Sequence, residues 1–299
     1  MFLEEFIKYL RVERNCSSHT QKAYATDVRM FGEYLSGVSE EYTPTNCDKD
    51  LVRCWVADLI DKGCAVNSVC RKLSALRAFF SYLKEHGKIV DNPTETVVAP
   101  KKRKPLPVFL KEEEMNELLD CAPSGSDSDY IYKRNKTIIA CFYEMGLRLS
   151  ELCGLNLSDV DWYENQVKVR GKRGKERIVP FGSELRRVLQ EYIADRAEVA
   201  VQNEDALFVS SRGCRISTSQ VYRLVREQLS QVTTVKRKGP HTLRHTFATV
   251  MLNNDAELGA VKELLGHEQL ATTEVYTHVT FEELKKVYKK AHPRASLKL

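Results

Sequence analysis

The sequence lacks most of what would place it outside the cell, in a membrane or around a metal. Its nine cysteines, Cys16, Cys47, Cys54, Cys64, Cys70, Cys121, Cys141, Cys153 and Cys214, include no C-x-x-C pair and no zinc-like spacing. An odd, dispersed set reads as reduced intracellular thiols, not as a disulfide framework. No apolar run approaches the ~20 residues that span a bilayer. Met1 to Leu10 carries Glu4, Glu5 and Lys8 where a secretory signal would be apolar. Internal repeats and low-complexity tracts are absent. A cytoplasmic protein with no membrane contact is expected.

What is present is ordinary in amount and uneven in placement. Hydrophobic residues make up 42% and charged residues 29% of 299 residues, enough chain for two modest domains. The formal net charge is +5, yet residues 1–98 hold 13 Lys/Arg against 14 Asp/Glu. The excess therefore lies further on, and Lys101, Lys102, Arg103 and Lys104 supply four charges in a row. Such a run suits a polyanion or simply a solvated tether, and the run alone does not choose between them.

Periodicity organises the chain into a helical first part, a linker and a mixed second part. Tyr24, Val28, Phe31 and Leu35 form one helical stripe after Ser17 or Ser18 as N-cap. Val69, Leu73, Leu76, Phe80 and Leu83 form another, stopped by Gly87. With helices over 2–13 and 48–61, residues 1–91 are expected to form a small helical bundle. The stretch 92–107 has four prolines and the basic run, and reads as an extended interdomain linker. In 108–299 a helix is expected over Tyr132–Met145. Strands Gln166–Arg170 and Glu176–Pro180 flank a GKRGK turn. A further strand is expected at Leu207–Ser210, with helices at Ser183–Val201, Thr218–Leu229, His241–Asn253, Leu258–Leu265, Thr272–Tyr276 and Phe281–Lys290. The fold class is mainly α with a small β-sheet (α+β).

The chemistry concentrates in HTLRHTFATVMLNNDAELGAVKELLGHEQLATTEVY, His241 to Tyr276. Reaction at a phosphodiester needs a nucleophile, a clamp for charged oxygens and proton-transfer groups around one phosphorus. Arginine presents a fork that matches phosphate oxygens, where lysine is a point charge. Arg244 lies in this stretch, and Arg148 lies in EMGLRLSEL just after a helix-ending glycine. Glu151, three residues on, either orients an arginine or is only a first-turn helix charge. His241 and His245 share a helix face, but Thr242 stands where a zinc protease has Glu, so no metal is expected. Histidine at the end of a helix, as His267 is after Leu264-Leu265-Gly266, either bonds a phosphate or complements the helix dipole.

These residues resemble the signature of the tyrosine recombinases, the phage-integrase and Xer family. His241, Arg244, His267 and Tyr276 fall on its H-x-x-R … H … Y positions, with Tyr276 nine residues after Leu-Gly-His. EMGLRLSEL resembles its first arginine box, with Met145 where Thr is usual. SSHTQKAYATDVRMFGEYL and VCRKLSALRAFFSYL resemble its core-binding domain, and KKAHPRASLKL an Xer-type ending. The resemblance implies Tyr276 as the nucleophile, Arg148 and Arg244 as the clamp, His241 in proton transfer and His267 on the phosphate. It also implies Lys172, on the hairpin turn, as the acid for the departing 5′-oxygen, with Arg173 and Lys175 close by. His245 is expected to be structural.

It further implies a site-specific recombinase without cofactor that joins double-stranded DNA through a 3′-phosphotyrosine and a Holliday junction. Its DNA would be a short pseudo-palindromic site. Four protomers would assemble on two sites, alone or with a second recombinase, with a DNA translocase as activator. The last helix would dock on a neighbouring protomer. Arg71, Lys72, Arg77, Lys101, Lys102, Arg103 and Lys104 are the candidate DNA contacts. Chromosome-dimer resolution competes with integration of a mobile element, and a type IB topoisomerase shares the same active-site logic.

Overall fold

Among the described residues, four helices occupy the first unit, and side chains cap the starts of two of them. In the computed structural model, residues 2–101, 108–120, 129–171, 174–235, 237–266 and 281–295 are described. Helix α1 (Phe2–Val12) is followed by α2 (Ser18–Val38), α3 (Lys49–Asp61) and α4 (Val66–Glu85). Ser17 caps α2, its side chain accepting from Thr20 N. Asp48 caps α3 by accepting from Asp50 N at 3.0 Å and Leu51 N at 2.9 Å.

The two helical stripes meet. Val28, Phe31 and Leu35 of α2 and Val69, Leu73, Leu76, Phe80 and Leu83 of α4 are buried in one cluster with Phe6 and Trp55. Each large side chain so buried stabilises by about 1.5–3 kcal/mol. The cluster continues past α4, taking in Val97. Arg77 Nη2 donates to Val97 O at 2.6 Å, and Cys70 Sγ to Pro100 O. Residues 92–100, the first part of the 92–107 stretch expected as an extended interdomain linker, pack in part on α4, and the first compact unit runs from Met1 to Pro105.

The second unit, Leu106–Leu299, is built around one buried helix. Helices α5 (Glu112–Asp120), α6 (Asp129–Met145) and α7 (Leu149–Cys153) precede strands β1 (Val160–Asp161), β2 (Gln166–Arg170) and β3 (Glu176–Pro180). Helices α8 (Ser183–Val199), α9 (Thr218–Val232), α10 (Pro240–Asn253), α11 (Leu258–Leu265) and α12 (Phe281–Ala291) follow. Thr137 to Met145 of α6 are all buried. The sheet is antiparallel in the order β1-β2-β3, with Val167 opposite both Val160 and Val179. Along β2, Val167 and Val169 face the core while Lys168 and Arg170 are exposed, the two-residue alternation of a one-sided sheet.

One expectation is corrected by the fold. The sheet's third strand is Val160–Asp161, not Leu207–Ser210. That stretch is split between unlike partners: Leu207 N bonds Leu155 O, whereas Ser210 N bonds Cys214 O, so no ladder forms. In the single chain the last helix packs on its own unit. Leu284, Tyr288 and Ala291, at i, i+4 and i+7, close over Phe247, Met251, Ala260, Val261 and Leu264. Among the described residues no helix is long and apolar enough to cross a membrane.

Beneath α12 lies a buried acid. Glu144 is 1% exposed, and its Oε2 faces Gly182 N and Tyr288 OH, each at 3.4 Å. Burial, with Glu184 adding to it, raises its pKa to about 8. An acid whose pKa is higher folded than unfolded binds its proton more tightly in the folded state. Its contribution to stability therefore falls as pH rises from the unfolded value towards 8. Glu144→Gln, whose amide stays neutral, is expected to raise the melting temperature at pH 8.5 and to leave it nearly unchanged at pH 5. An equal change at both would contradict a buried neutral carboxyl.

Candidate active site

Three arginines from three elements converge on one carboxylate. Gly146 ends α6 with φ +58°, and a Cβ there would come within 2.5 Å of Phe247 Cδ1, so only glycine lets the chain turn against α10. The turn delivers Arg148 to the start of α7. Arg148 N donates to Glu151 Oε2 at 2.8 Å, and Arg148 Nη1 to Glu151 Oε1 at 2.6 Å. From β3, Arg177 reaches the same carboxylate with both prongs, Nη1 to Oε1 at 2.9 Å and Nη2 to Oε2 at 2.8 Å. From α10, Arg244 Nη1 stands 3.9 Å from Glu151 Oε2.

The same three guanidiniums cap a helix. The carbonyls at the end of α11 lack intrahelical partners. Arg177 Nε takes Leu264 O at 2.8 Å, Arg244 Nη2 takes Leu265 O at 2.6 Å, and Arg148 Nη2 takes Gly266 O at 2.7 Å. Arg244 Nη1 also bonds Gly146 O at 2.7 Å. Positive charge belongs at a helix C-terminus, and here it is bound there by hydrogen bonds. Gly266 follows in the left-handed conformation, φ +64°, directly before His267 in the chain.

Electrostatics follow from this packing. Glu151, almost wholly buried, has its pKa held down at about 2; burial opposes ionisation, but the bonds from Arg177 and Arg148 outweigh it. Arg244 is lowered to about 10, by burial first and then by Arg148, and so stays charged at neutral pH. One carboxylate against three guanidiniums leaves a surplus of positive charge.

The predicted residues fall into three groups. Arg148 and Arg244 are brought together. His241 lies exposed in the first turn of α10, on the element that carries Arg244. Lys172, His267 and Tyr276 lie outside the described residues. His245, expected to be structural, is exposed one turn after His241, and its pKa is lowered by partial desolvation, His241 and Arg244. Glu151 orients arginines and is not merely a first-turn charge. Arg177 was missed, and the only local signal for it was its place three residues after Gly174 in the hairpin.

Beside His241 a cleft of about 670 Å³ is lined by Tyr222, Arg226, Arg237, Lys238 and Gly239. These basic residues were also not singled out from the sequence. In the first unit, Lys72 is 7% exposed, with Nζ 3.1 Å from Asp27 Oδ1. Arg71 pairs with the same buried Asp27, and Arg77 binds Val97 O. Lys101 is exposed, and Lys102, Arg103 and Lys104 lie outside the described residues.

An arginine cluster on a mainly helical unit, joined to a four-helix unit, defines a class that comparison with known proteins makes specific. The phage integrase family domain matches residues 108–283, and the N-terminal SAM-like domain of phage integrases matches residues 3–87. The tyrosine recombinase XerC of Thermodesulfovibrio yellowstonii is 40% identical over 98% of this chain and 96% of its own. That of Vibrio vulnificus is 37% identical over 99% and 92%. Among solved structures, XerH bound to a palindromic difH substrate shares the fold, with TM-score 0.73 at 22% identity over 96% of this chain and 84% of that one. The chain belongs to the phage integrase family, as a tyrosine recombinase.

Proposed function

We propose that this protein cuts and rejoins double-stranded DNA at a specific site through a 3′-phosphotyrosine on Tyr276. Arg148 and Arg244 supply the clamp. Each keeps N–H groups beyond those used on protein carbonyls, and a guanidinium has five. In this reading the Tyr276 oxygen attacks phosphorus and the bond to the 5′-oxygen breaks. His241 takes part in proton transfer, and Lys172 protonates the leaving oxygen. His267 donates to a non-bridging oxygen. The phosphotyrosine conserves the phosphodiester bond energy, so a 5′-hydroxyl from a second duplex rejoins the strand without ATP. Two fixed guanidiniums stabilise the charge that develops on phosphorus, which leaves no step that requires a metal.

The observation that carries this reading is the convergence of Arg148 and Arg244 on Glu151, at the end of the helix that leads into His267. The expected partners are a short pseudo-palindromic duplex and three further recombinase protomers, alike or of a second kind, with a translocase as activator. The similarity to XerC proteins along nearly the whole chain supports chromosome-dimer resolution in the cytoplasm over a mobile-element role. The basic cleft beside His241 and the exposed Lys101 fit phosphate contacts. On the first unit Arg71 and Arg77 are the candidates for further phosphate contacts, while Lys72 serves Asp27.

A recombination assay tests the function. Two labelled duplexes carrying the host's candidate dimer-resolution site are incubated with EDTA and no nucleotide, with and without a candidate partner recombinase. Holliday junctions and exchanged arms are expected. Relaxation of supercoiled plasmid lacking any site, with no exchange, would instead identify a topoisomerase-like activity.

A further inference from the structure

Arg177 has no place in the proposed chemistry, yet it makes more of the charged contacts in the cluster than either clamping arginine. A carboxylate offers about four lone-pair sites. Around Glu151, Arg148 fills two of them, through N and Nη1, and Arg177 fills the other two with a parallel fork. Arg244 is left at 3.9 Å, outside hydrogen-bond distance. Its two terminal nitrogens hold Gly146 O and Leu265 O instead.

The glycine before His267 is part of the same device. A Cβ on Gly266 would stand 3.1 Å from Arg177 Nη1 and 3.2 Å from Arg177 Cδ. Backbone and guanidinium are thus in close contact, and Arg177 Nε holds Leu264 O from β3. The Arg177 side chain is 13% exposed against 34% for Arg148, so it is well shielded from solvent.

We propose that Arg177 is a positioning residue for strand cleavage: it saturates Glu151 so that the carboxylate does not capture Arg244, and it fixes the end of α11 that leads into His267. This rests on the phosphotyrosine reading above. Without Arg177, two acceptor sites on Glu151 open. Arg148 is already bonded to the carboxylate, and Arg244, 3.9 Å away, is the cation in reach of the opened sites, so it turns toward the carboxylate and away from the phosphate. The site also loses one of the positive charges that offset Glu151. Both effects weaken stabilisation of the charge that develops on phosphorus, more than they weaken binding of the duplex.

The test is single-turnover formation of the covalent protein–DNA adduct on a nicked duplex at saturating protein, with duplex affinity and melting temperature measured alongside. Arg177→Gln is expected to slow adduct formation by roughly 10²-fold, the scale of a small displacement at a reacting centre, with affinity little changed. Arg177→Lys, which keeps the charge but has no fork, is expected to fall between. Two readouts separate positioning from mere support of the fold. Adding Glu151→Gln to Arg177→Gln removes the carboxylate that captures Arg244, so the double variant is expected to cleave faster than Arg177→Gln alone. On a duplex whose scissile phosphate carries methyl in place of one non-bridging oxygen, the loss is expected to shrink. Wild-type rates in Arg177→Gln or Arg177→Lys would overturn the proposal. So would slow cleavage that neither the double variant nor the methylphosphonate relieves. If wild-type protein forms no adduct that Tyr276→Phe abolishes, the phosphotyrosine reading itself fails and takes this proposal with it.

Discussion

Replacing Arg244 with alanine is expected to lower the rate of strand cleavage by roughly 10²–10³-fold, the cost of removing one preorganised donor from a developing oxyanion. Its side chain is only 8% exposed, and hydrogen bonds to Gly146 O and Leu265 O hold the guanidinium in one orientation. The guanidinium is thus held in place before charge builds on phosphorus. With a pKa still near 10, the group is charged throughout the working range, so the loss is expected to be independent of pH between 6 and 9. Arg244→Lys is expected to fare little better, because one ammonium cannot hold two carbonyls and present a fork to phosphate. Single-turnover cleavage of a nicked duplex measures this. A rate close to wild type in Arg244→Ala would remove Arg244 from the clamp.

The second large effect is on stability. Glu151→Ala leaves three guanidiniums facing one another with no counter-charge, and breaking a buried ionic cluster in this way costs about 3–5 kcal/mol. Part of that cost depends on pH. The carboxyl is near 2 when folded, against an ordinary value of 4.5. A depressed acid contributes stability that is fully present above its unfolded pKa and is lost as pH falls through the folded one. Each tenfold weakening of proton binding is worth ~1.4 kcal/mol, so the contribution is about 3 kcal/mol at pH 7 and disappears between about pH 4.5 and 2. Urea unfolding read by Trp162 fluorescence in a Trp55→Phe background reports on the catalytic unit alone. The gap between wild type and Glu151→Ala is expected to be widest at pH 7 and to narrow below pH 4. A gap that does not change with pH would mean the ionised carboxylate is not what holds the arginines.

Where the described part of the candidate site is legible in the chain, its parts are local. H-x-x-R puts His241 and Arg244 on one helix, and Gly146 before Arg148 marks a helix end that aims the arginine. The buried stripes of α2 and α4 follow from i, i+3 and i+4 spacing alone. What was not legible depends on separations that periodicity does not see. Arg177 acquires its role only when β3 lies beside α7 and α11, bringing it to Glu151, 26 positions away, and Leu264, 87 positions away. Lys72 reads as a surface base beside an apolar stripe, but Asp27 from α2 draws it inward. Leu207–Ser210 has strand composition, yet Leu155 and Cys214 pair with its two ends and no ladder grows. Helix α5 was missed because Glu112, Glu113 and Glu114 fill its first turn and hide the short Met115, Leu118, Leu119 stripe.

Covalent trapping tests the central claim most directly. A labelled duplex carrying the candidate site, nicked next to the cleavage point so that the small fragment diffuses away, is mixed with wild-type protein and with Tyr276→Phe in EDTA. A denaturant-resistant, 3′-linked adduct with wild type and none with Tyr276→Phe is the predicted result. An adduct that persists in Tyr276→Phe, or one that forms only when a divalent metal is supplied, would contradict it.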